Sequence, residues 1–241
     1  MRISIVIPAF NEERLIGETL RQVNAALPAF LQRGWETELI VCDNNSTDRT
    51  AELARAAGAK VVFEPINQIS RARNSGAQAA TGDWLIFVDA DSHPARDLFD
   101  EVAGQIQSGN CLGGGCTIKM DGHYRAAEWI AQFWNWLSLT FRLLAGSFIF
   151  CDAAVFRQVG GFSEELFAGE ELDLTQKLKR LERTAGRRLI ILRAHPLVTS
   201  ARKIHLYTSR EHFWFLLQAS LSRKKVLRSR AACRTWYDGR R

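Results

Sequence analysis

Two aspartates separated by one residue, Asp89 and Asp91, are the residues whose types and spacing first point to chemistry. They follow five apolar residues, 84–88, which are typical of a strand buried on both faces. Ligands of open α/β sheets bind at the carboxyl ends of the strands. Carboxylates suit Mg²⁺ or Mn²⁺, and proteins often hold Mg²⁺ by one or two carboxylates together with substrate phosphates. The alternative is an Asp-Ser turn in which Asp91 caps the next helix.

Polar segments also follow two earlier strands. Residues 3–8 and 37–42 predict buried strands, and polar residues come after them at 8–12 and 43–48. Strands, loops and helices alternate along this part of the chain, which is typical of a mostly parallel sheet with right-handed crossovers. Because parallel strands end at one edge of the sheet, we expect these two segments and residues 89–91 to form one site.

The same patterns predict the remaining elements. In the first half they indicate helices over 11–27 (with Asn11 as N-cap and Pro28 as the stop), 49–57 and 70–80, and a strand over 60–63. In the second half they indicate a strand over 111–120, an apolar helix over 124–145, a helix that starts near Glu170, a strand over 189–192 and a helix over 209–222.

The composition favours one α/β domain with a large core, because 46% of the 241 residues are hydrophobic. The net charge of +6 is concentrated at the C-terminus, where residues 223–241 contain eight cationic residues and one aspartate, or +7, and leave −1 for the rest. Such a tail contacts anionic lipid or nucleic acid, or is a solvated end. We favour the solvated end and expect no nucleic-acid partner.

The five cysteines are odd in number, and none forms a C-x-x-C pair. The start of the chain has no signal-peptide pattern, so we expect reduced thiols in a cytoplasmic protein. No run of about 18 uncharged apolar residues is present, so we expect no transmembrane helix.

Five segments appear in the order that a known family has them. They are SIVIPAFNEE at 4–13, DNNSTDRT at 43–50, ARNSGAQAATGD at 72–83 ahead of Asp89-Ala90-Asp91, GGF at 160–162 and GEELDL at 169–174. Together, over about residues 1–180, they resemble the family 2 glycosyltransferases with the GT-A fold. The resemblance implies a Rossmann-like, mostly parallel sheet flanked by helices, with a smaller mixed acceptor-side region.

The implied activity is inverting transfer of a sugar from a nucleoside-diphosphate sugar, which we expect to be UDP-linked, to an acceptor hydroxyl with Mg²⁺ or Mn²⁺. We divide the chain into one domain over 1–222, with a nucleotide-sugar-binding half (1–110) and an acceptor-side half (111–222), and a tail over 223–241. The Q-x-x-R-W element of processive polysaccharide synthases is missing and no membrane span is expected, so we expect a single transfer rather than processive polymerisation.

The resemblance also implies residue roles. Pro8, Ala9, Phe10 and Glu12 line the base and ribose pocket, Asp43 accepts a hydrogen bond from the base, and Asn45 lies in the same donor loop. Arg73 either meets the diphosphate or braces the acidic loop. Asp89 contacts the ribose or a metal-bound water, and Asp91 ligates the metal. His93, His195 or His205 each offer a further metal ligand, although a histidine is more often a surface or core residue.

The family takes its general base from an aspartate where this chain has Glu171. Glu170 precedes it, and Asp173 is the second candidate for the base. The alternative is that all three acids stabilise a helix N-terminus, which we favour only for Asp173.

The acceptor side contains the apolar helix, whose stripe includes Trp129, Phe133 and Trp136. We expect a core helix; the alternative is a surface for a carbohydrate or lipid-linked acceptor at the inner face of a membrane, assisted by 223–241. The rival functions are a sugar-phosphate nucleotidyltransferase, which needs a glycine-rich phosphate loop that is absent after the first strand, and a non-catalytic nucleotide-sugar-binding protein.

Overall fold

The computed structural model describes residues 1–122, 125–200 and 224–233. The strands are β1 (Arg2–Ala9), β2 (Glu36–Asp43), β3 (Lys60–Phe63), β4 (Trp84–Val88), β5 (Ser92–His93), β6 (Cys111–Met120), β7 (Phe148–Asp152) and β8 (Arg188–Thr199). The helices are α1 (Ile16–Ala26), α2 (Pro28–Leu31), α3 (Thr50–Ala56), α4 (Ile69–Gln78), α5 (Arg96–Ser108), α6 (Arg125–Phe141), α7 (Ala153–Gln158), α8 (Glu170–Ala185) and α9 (Lys224–Leu227).

These strands form one sheet in the order β3-β2-β1-β4-β7-β6-β8-β5. β1 pairs in parallel with β2 and β4, and β2 pairs in parallel with β3. β7 runs antiparallel to both β4 and β6, and β5 is antiparallel to β8. The predicted parallel first half and mixed second half are therefore confirmed.

Alternating side chains of the buried strands separate the core into two layers. Ile3, Ile5 and Ile7 of β1 face a cluster that includes α1, α2 and α5. Val6 of β1 and Phe87 of β4 face the other cluster, with α4, α7 and α8. The sheet is thus covered on both faces, which explains why its strands are continuously apolar.

The prediction of a helix capped by Asn11 is wrong. α1 begins only at Ile16, and Asn11 adopts a left-handed conformation with φ of 53°. Its side-chain oxygen accepts a hydrogen bond from the Thr47 amide at 2.8 Å. Pro28 does not simply stop the helix, since it occupies the first turn of α2, where its missing N–H is not needed.

The structure also contains elements that the sequence patterns did not indicate. In the first half, the two-residue β5 and α5 were not predicted. In the second half, β8 has 12 residues rather than the four expected over 189–192. The polar segment after Leu192 interrupts the apolar pattern, yet β8 continues because it pairs with β6 as far as Thr199. The helix predicted over 209–222 lies outside the described residues.

Helix α6 contradicts the expectation of a core helix. Trp129, Phe133 and Trp136 are 71%, 62% and 57% exposed, and Ile130 and Phe141 are also exposed. The opposite face packs on β6, where the Asn135 side chain bonds the amide and the carbonyl of Ile118 at 2.9 and 2.8 Å. Within the described residues, no helix has the length and apolarity to span a membrane.

The expectation of a solvated C-terminal end is wrong for residues 224–233. This segment contains α9, and Cys233 within it is fully buried. The Leu227 carbonyl accepts a hydrogen bond from the amide of Phe167 at 2.7 Å. The segment therefore belongs to the folded domain.

Candidate active site

The candidate site lies at the carboxyl edge of β1, β2 and β4, as predicted from the three polar segments. β1 lies between β2 and β4, so the residues that follow these strands are neighbours. Because β7 is antiparallel to β4, the turn before β7 reaches the same edge, and the amide of Asp89 donates to the carbonyl of Ser147 at 3.2 Å. The N-terminus of α8 brings Glu170 and Glu171 to this edge as well.

Arg73 connects these segments. It lies in the second turn of α4 and is only 1% exposed. Its Nη1 donates to Glu170 at 2.6 Å, and its Nη2 donates to Asp89 at 2.8 Å and to the carbonyl of Gly146 at 2.7 Å. The guanidinium also lies 5.2 Å from the centre of the Phe162 ring. Of the two roles expected for Arg73, this geometry corresponds to bracing the acidic loop.

Gly146 is required by the close approach of Arg73. A Cβ at this position would lie 3.1 Å from Nη2 of Arg73, so any side chain would compete with the guanidinium. The sequence carries no sign of this contact, since a single glycine after an apolar helix is typical of an ordinary turn.

Three carboxylates surround the one guanidinium, which leaves an excess of negative charge. Burial, and next the negative charge of Glu170, raise the pKa of Glu171 to about 8, while Arg73 opposes this shift. Glu171 therefore holds a proton at neutral pH, unlike an ordinary glutamate, and loses it as the pH rises through about 8. A carboxylate whose pKa lies near the operating pH can act as a general base once it is deprotonated.

A cavity of about 180 Å³ opens between these groups. It is lined by Ile69, Arg73, Asp89, Gly146, Ser147, Gly169, Glu170 and Glu171. Asp173 does not line it and instead pairs with Lys177 at 3.1 Å, one turn further along α8. The structure thus brings Asp89, Glu170 and Glu171 together with Arg73, and it places Asp173 apart from them.

The predicted donor loops are held by short local contacts. Asp43 is buried at the end of β2, and its carboxylate accepts from the Ser46 amide at 3.1 Å. The amide of Glu12, whose side chain is also buried, donates to the Thr50 hydroxyl at 2.7 Å. Pro8 and Ala9 are buried within β1, and Phe10 and Asn45 lie just beyond the strand ends.

The sequence reasoning missed Asn44. This residue is buried; its side-chain nitrogen donates to the Ile66 carbonyl at 2.6 Å, and its oxygen accepts from the Gln68 amide at 2.8 Å. It therefore joins the end of β2 to the segment that starts α4. Its position beside Asp43, where the family usually has a second aspartate, is the only sequence signal for this role.

The donor set near Asp91 fits a divalent cation that is shared with a substrate. Asp91 is buried at the β4 edge, and Asp89 already binds Arg73. In residues 1–122, 125–200 and 224–233, no three metal-ligating side chains come together. One or two carboxylates with substrate phosphates suffice for Mg²⁺, and the excess negative charge favours a cation.

The three histidines that were considered as further metal ligands differ in their surroundings. His195 pairs with Glu101 at 3.2 Å, and the Nε2 of His93 is buried without a hydrogen-bond partner. His205 lies outside the described residues.

Comparison with known proteins places these features in a family. The sequence model described as Glycosyl transferase family 2 matches residues 4–158. The undecaprenyl-phosphate 4-deoxy-4-formamido-L-arabinose transferase of Pseudomonas aeruginosa is 33% identical over 146 residues, which are 55% of this chain and 40% of that protein. The chain spans less than half the length of the curated relatives it matches.

Two solved structures share the fold. The mannosyltransferase PcManGT from Pyrobaculum calidifontis, in complex with GDP-Man and Mn²⁺, matches with a TM-score of 0.68 and 20% identity over 96% of this chain and 64% of its own. Residues 1–349 of TarS from S. aureus, in complex with UDP-GlcNAc, match with a TM-score of 0.65 and 21% identity over 91% of this chain and 66% of theirs.

The Arg73 cluster predicts a large loss of stability in Arg73→Ala. Removing one partner of a buried ion pair leaves uncompensated charge and costs about 3–5 kcal/mol. We expect the free energy of unfolding, measured by urea denaturation, to fall by this amount. Arg49→Ala, which removes an exposed ion pair with Glu52, is the control and should change it little. Equal effects of the two substitutions would contradict the bracing role.

Proposed function

Because this chain belongs to glycosyl transferase family 2, we propose that it transfers a single sugar from a nucleoside-diphosphate sugar to an acceptor hydroxyl with inversion at the anomeric carbon. Glycosyltransferase activity follows from the family. The observation that carries the finer proposal is the cavity lined by Glu171, Asp89 and Arg73, at the edge of the sheet where β1, β2 and β4 end.

The donor binds along the ends of β1 and β2 in this proposal. Asp43 accepts a hydrogen bond from the base, Pro8, Ala9, Phe10 and Glu12 line the base and ribose pocket, and Asn45 completes that loop. Neighbouring structures hold UDP-GlcNAc or GDP-Man, so the fold accommodates either base, and the expected UDP donor has to be tested against GDP.

Asp91, with Asp89 as a second carboxylate two residues before it, would hold Mg²⁺ or Mn²⁺ together with the donor diphosphate. Such an ion would stabilise the negative charge that develops on the departing diphosphate. Arg73 binds Asp89 at 2.8 Å, and this ion pair supports the proposal because it would hold the Asp89-Ala90-Asp91 turn in place at the sheet edge.

Glu171 is the general base that accepts the proton of the acceptor hydroxyl as that oxygen attacks the anomeric carbon. Glu170 is bound to Arg73, and Asp173 is bound to Lys177, so both are occupied by other partners. Both acids were candidates for the base. In this proposal Glu170 instead anchors the start of α8 to Arg73, and Asp173 forms an ion pair with Lys177 along α8.

The acceptor is lipid-linked in this proposal, and the exposed face of α6 contacts the membrane that carries it. Amphipathic aromatic side chains favour the membrane–water interface. The Pseudomonas aeruginosa relative is named for undecaprenyl phosphate, which supports a lipid-linked acceptor. Residues 223–241 add positive charge for an anionic surface.

A thermal-shift screen tests donor and metal binding together. We expect one of UDP or GDP to raise the unfolding temperature in a Mn²⁺-dependent manner, because a ligand at 100 times its Kd stabilises by about 2.7 kcal/mol. Asp91→Ala should abolish the Mn²⁺-dependent part, whereas the exposed Asp97→Ala should retain it. If neither nucleotide shifts the temperature, the donor-binding proposal fails.

The pH dependence of turnover tests the base. A base must be deprotonated to act, so kcat/KM should rise with pH through about 8 and level off above it. Glu171→Gln should lower kcat by about 10²–10⁴ and remove this dependence. Asp173→Asn should keep the rise. A rise that survives in Glu171→Gln and disappears in Asp173→Asn would assign the base to Asp173.

Co-sedimentation with vesicles tests the α6 surface. We expect the full chain to bind vesicles that contain phosphatidylglycerol. A Trp129→Ser, Phe133→Ser, Trp136→Ser variant should bind at least about tenfold more weakly, since burial of even one of these aromatics contributes more than about 1.4 kcal/mol. Phe63→Ser removes an equally exposed aromatic at β3 and should bind as wild type does. Failure of the wild-type chain to bind would refute the membrane contact.

A further inference from the structure

The segment 224–233 packs against the loop 163–169, which leads directly into α8. Besides the hydrogen bond from Phe167 to Leu227, Arg228 pairs with Glu165 at 2.6 Å. Cys233 closes the segment on itself, since its amide donates to the Ser229 carbonyl at 3.1 Å. The contact between the segment and the loop thus consists of a backbone hydrogen bond and an ion pair, and the bond from Cys233 to Ser229 stabilises the segment itself.

The loop 163–169 is also held from its other side. The Gln68 side chain, at the start of α4, donates to the carbonyls of Glu164 and Leu166 at 2.8 and 2.9 Å. Arg71 and Asn74 also contact the Glu164 carboxylate, each at 3.1 Å. All of these supports come from α4 or the residue before it, so residues 224–233 add a support from a separate part of the chain, which includes the hydrogen bond from the Phe167 amide to Leu227.

Leu227 reaches the residue at which α8 begins. Gly169 caps α8 in a left-handed conformation with φ of 75°, and a Cβ placed on it would lie 3.5 Å from a methyl group of Leu227. The next two residues are Glu170 and Glu171. A displacement of Gly169 would therefore move both carboxylates relative to Arg73.

We propose that residues 224–233 form a strap that holds the loop 163–169 and thereby positions Glu170 and Glu171 in the active-site cavity. Leu227 is its main positioning residue, and Arg228 supports it through Glu165. The inference rests on the proposed function, because it assigns the strap to the placement of the proposed base. Misplacement by about 1 Å from a site distant from the chemistry can cost about 10²-fold in rate.

Leu227→Asp in the full chain tests the strap, with Ala231→Asp as the matched control. Ala231 lies on the same segment but is exposed, so both variants add the same charge to the same strap. With UDP-GlcNAc and GDP-mannose as the donors tested, we expect Leu227→Asp to lower kcat at least about tenfold, within the range that misplacement allows. The Kd values for UDP and GDP should stay within about twofold of the wild-type values, because the proposed donor loops do not contact the strap. Hydrogen exchange at the Phe167 amide should accelerate, because its hydrogen bond to Leu227 is weakened.

A charge reversal gives a second test that does not depend on a core substitution. Arg228→Glu should lower kcat about two- to fivefold, the range of an exposed ion pair, and Glu165→Arg in the same chain should restore it. Unchanged kcat in Leu227→Asp despite faster exchange at Phe167, an equal loss in Ala231→Asp, or no recovery in the reversed pair would each overturn the strap. A wild-type chain that turns over no donor would instead contradict the proposed function.

Discussion

The buried guanidinium of Arg73 is the contact on which the site depends. Its two terminal nitrogens bind groups from three separate segments: Asp89 after β4, Gly146 before β7, and Glu170 at the start of α8. A lysine has one point of charge and cannot bind in this planar, forked manner. A single side chain in α4 therefore sets the distance between the donor side and the acidic side of the cavity.

The charge balance of this cluster explains its chemistry. One positive charge cannot neutralise Asp89, Glu170 and Glu171 together, and the surplus acts on the carboxylate that has no contact with Arg73. Burial is the main cause of the raised pKa of Glu171, and the negative charge of Glu170 adds to it. Glu170 has this effect through its charge, although its own carboxylate is held by the ion pair with Arg73.

Strand ends and motif order were sufficient to predict the fold and the edge of the sheet that carries the site, because buried parallel strands have a clear apolar pattern. The position of Asn11 was not predictable in this way, since its left-handed conformation depends on Thr47, 36 residues away. The two roles of Arg73 could be separated only by its tertiary contacts. The exposed face of α6 was misjudged because an apolar helix has the same pattern in a core and at an interface.

The two halves of the site are held in different ways, and this difference has a functional consequence. The proposed donor loops are fixed largely by contacts among themselves, such as those between Asp43 and Ser46 and between Asn11 and Ser46, and Asn44 ties them to the amide of Gln68. The acidic loop depends on distant supports: Arg73 from α4, Gln68 beside it, and Leu227 from the end of the chain. In the function proposed above, a change near the C-terminus would therefore act on turnover more than on donor affinity, because Leu227 contacts the acidic loop and not the segments proposed to bind the donor.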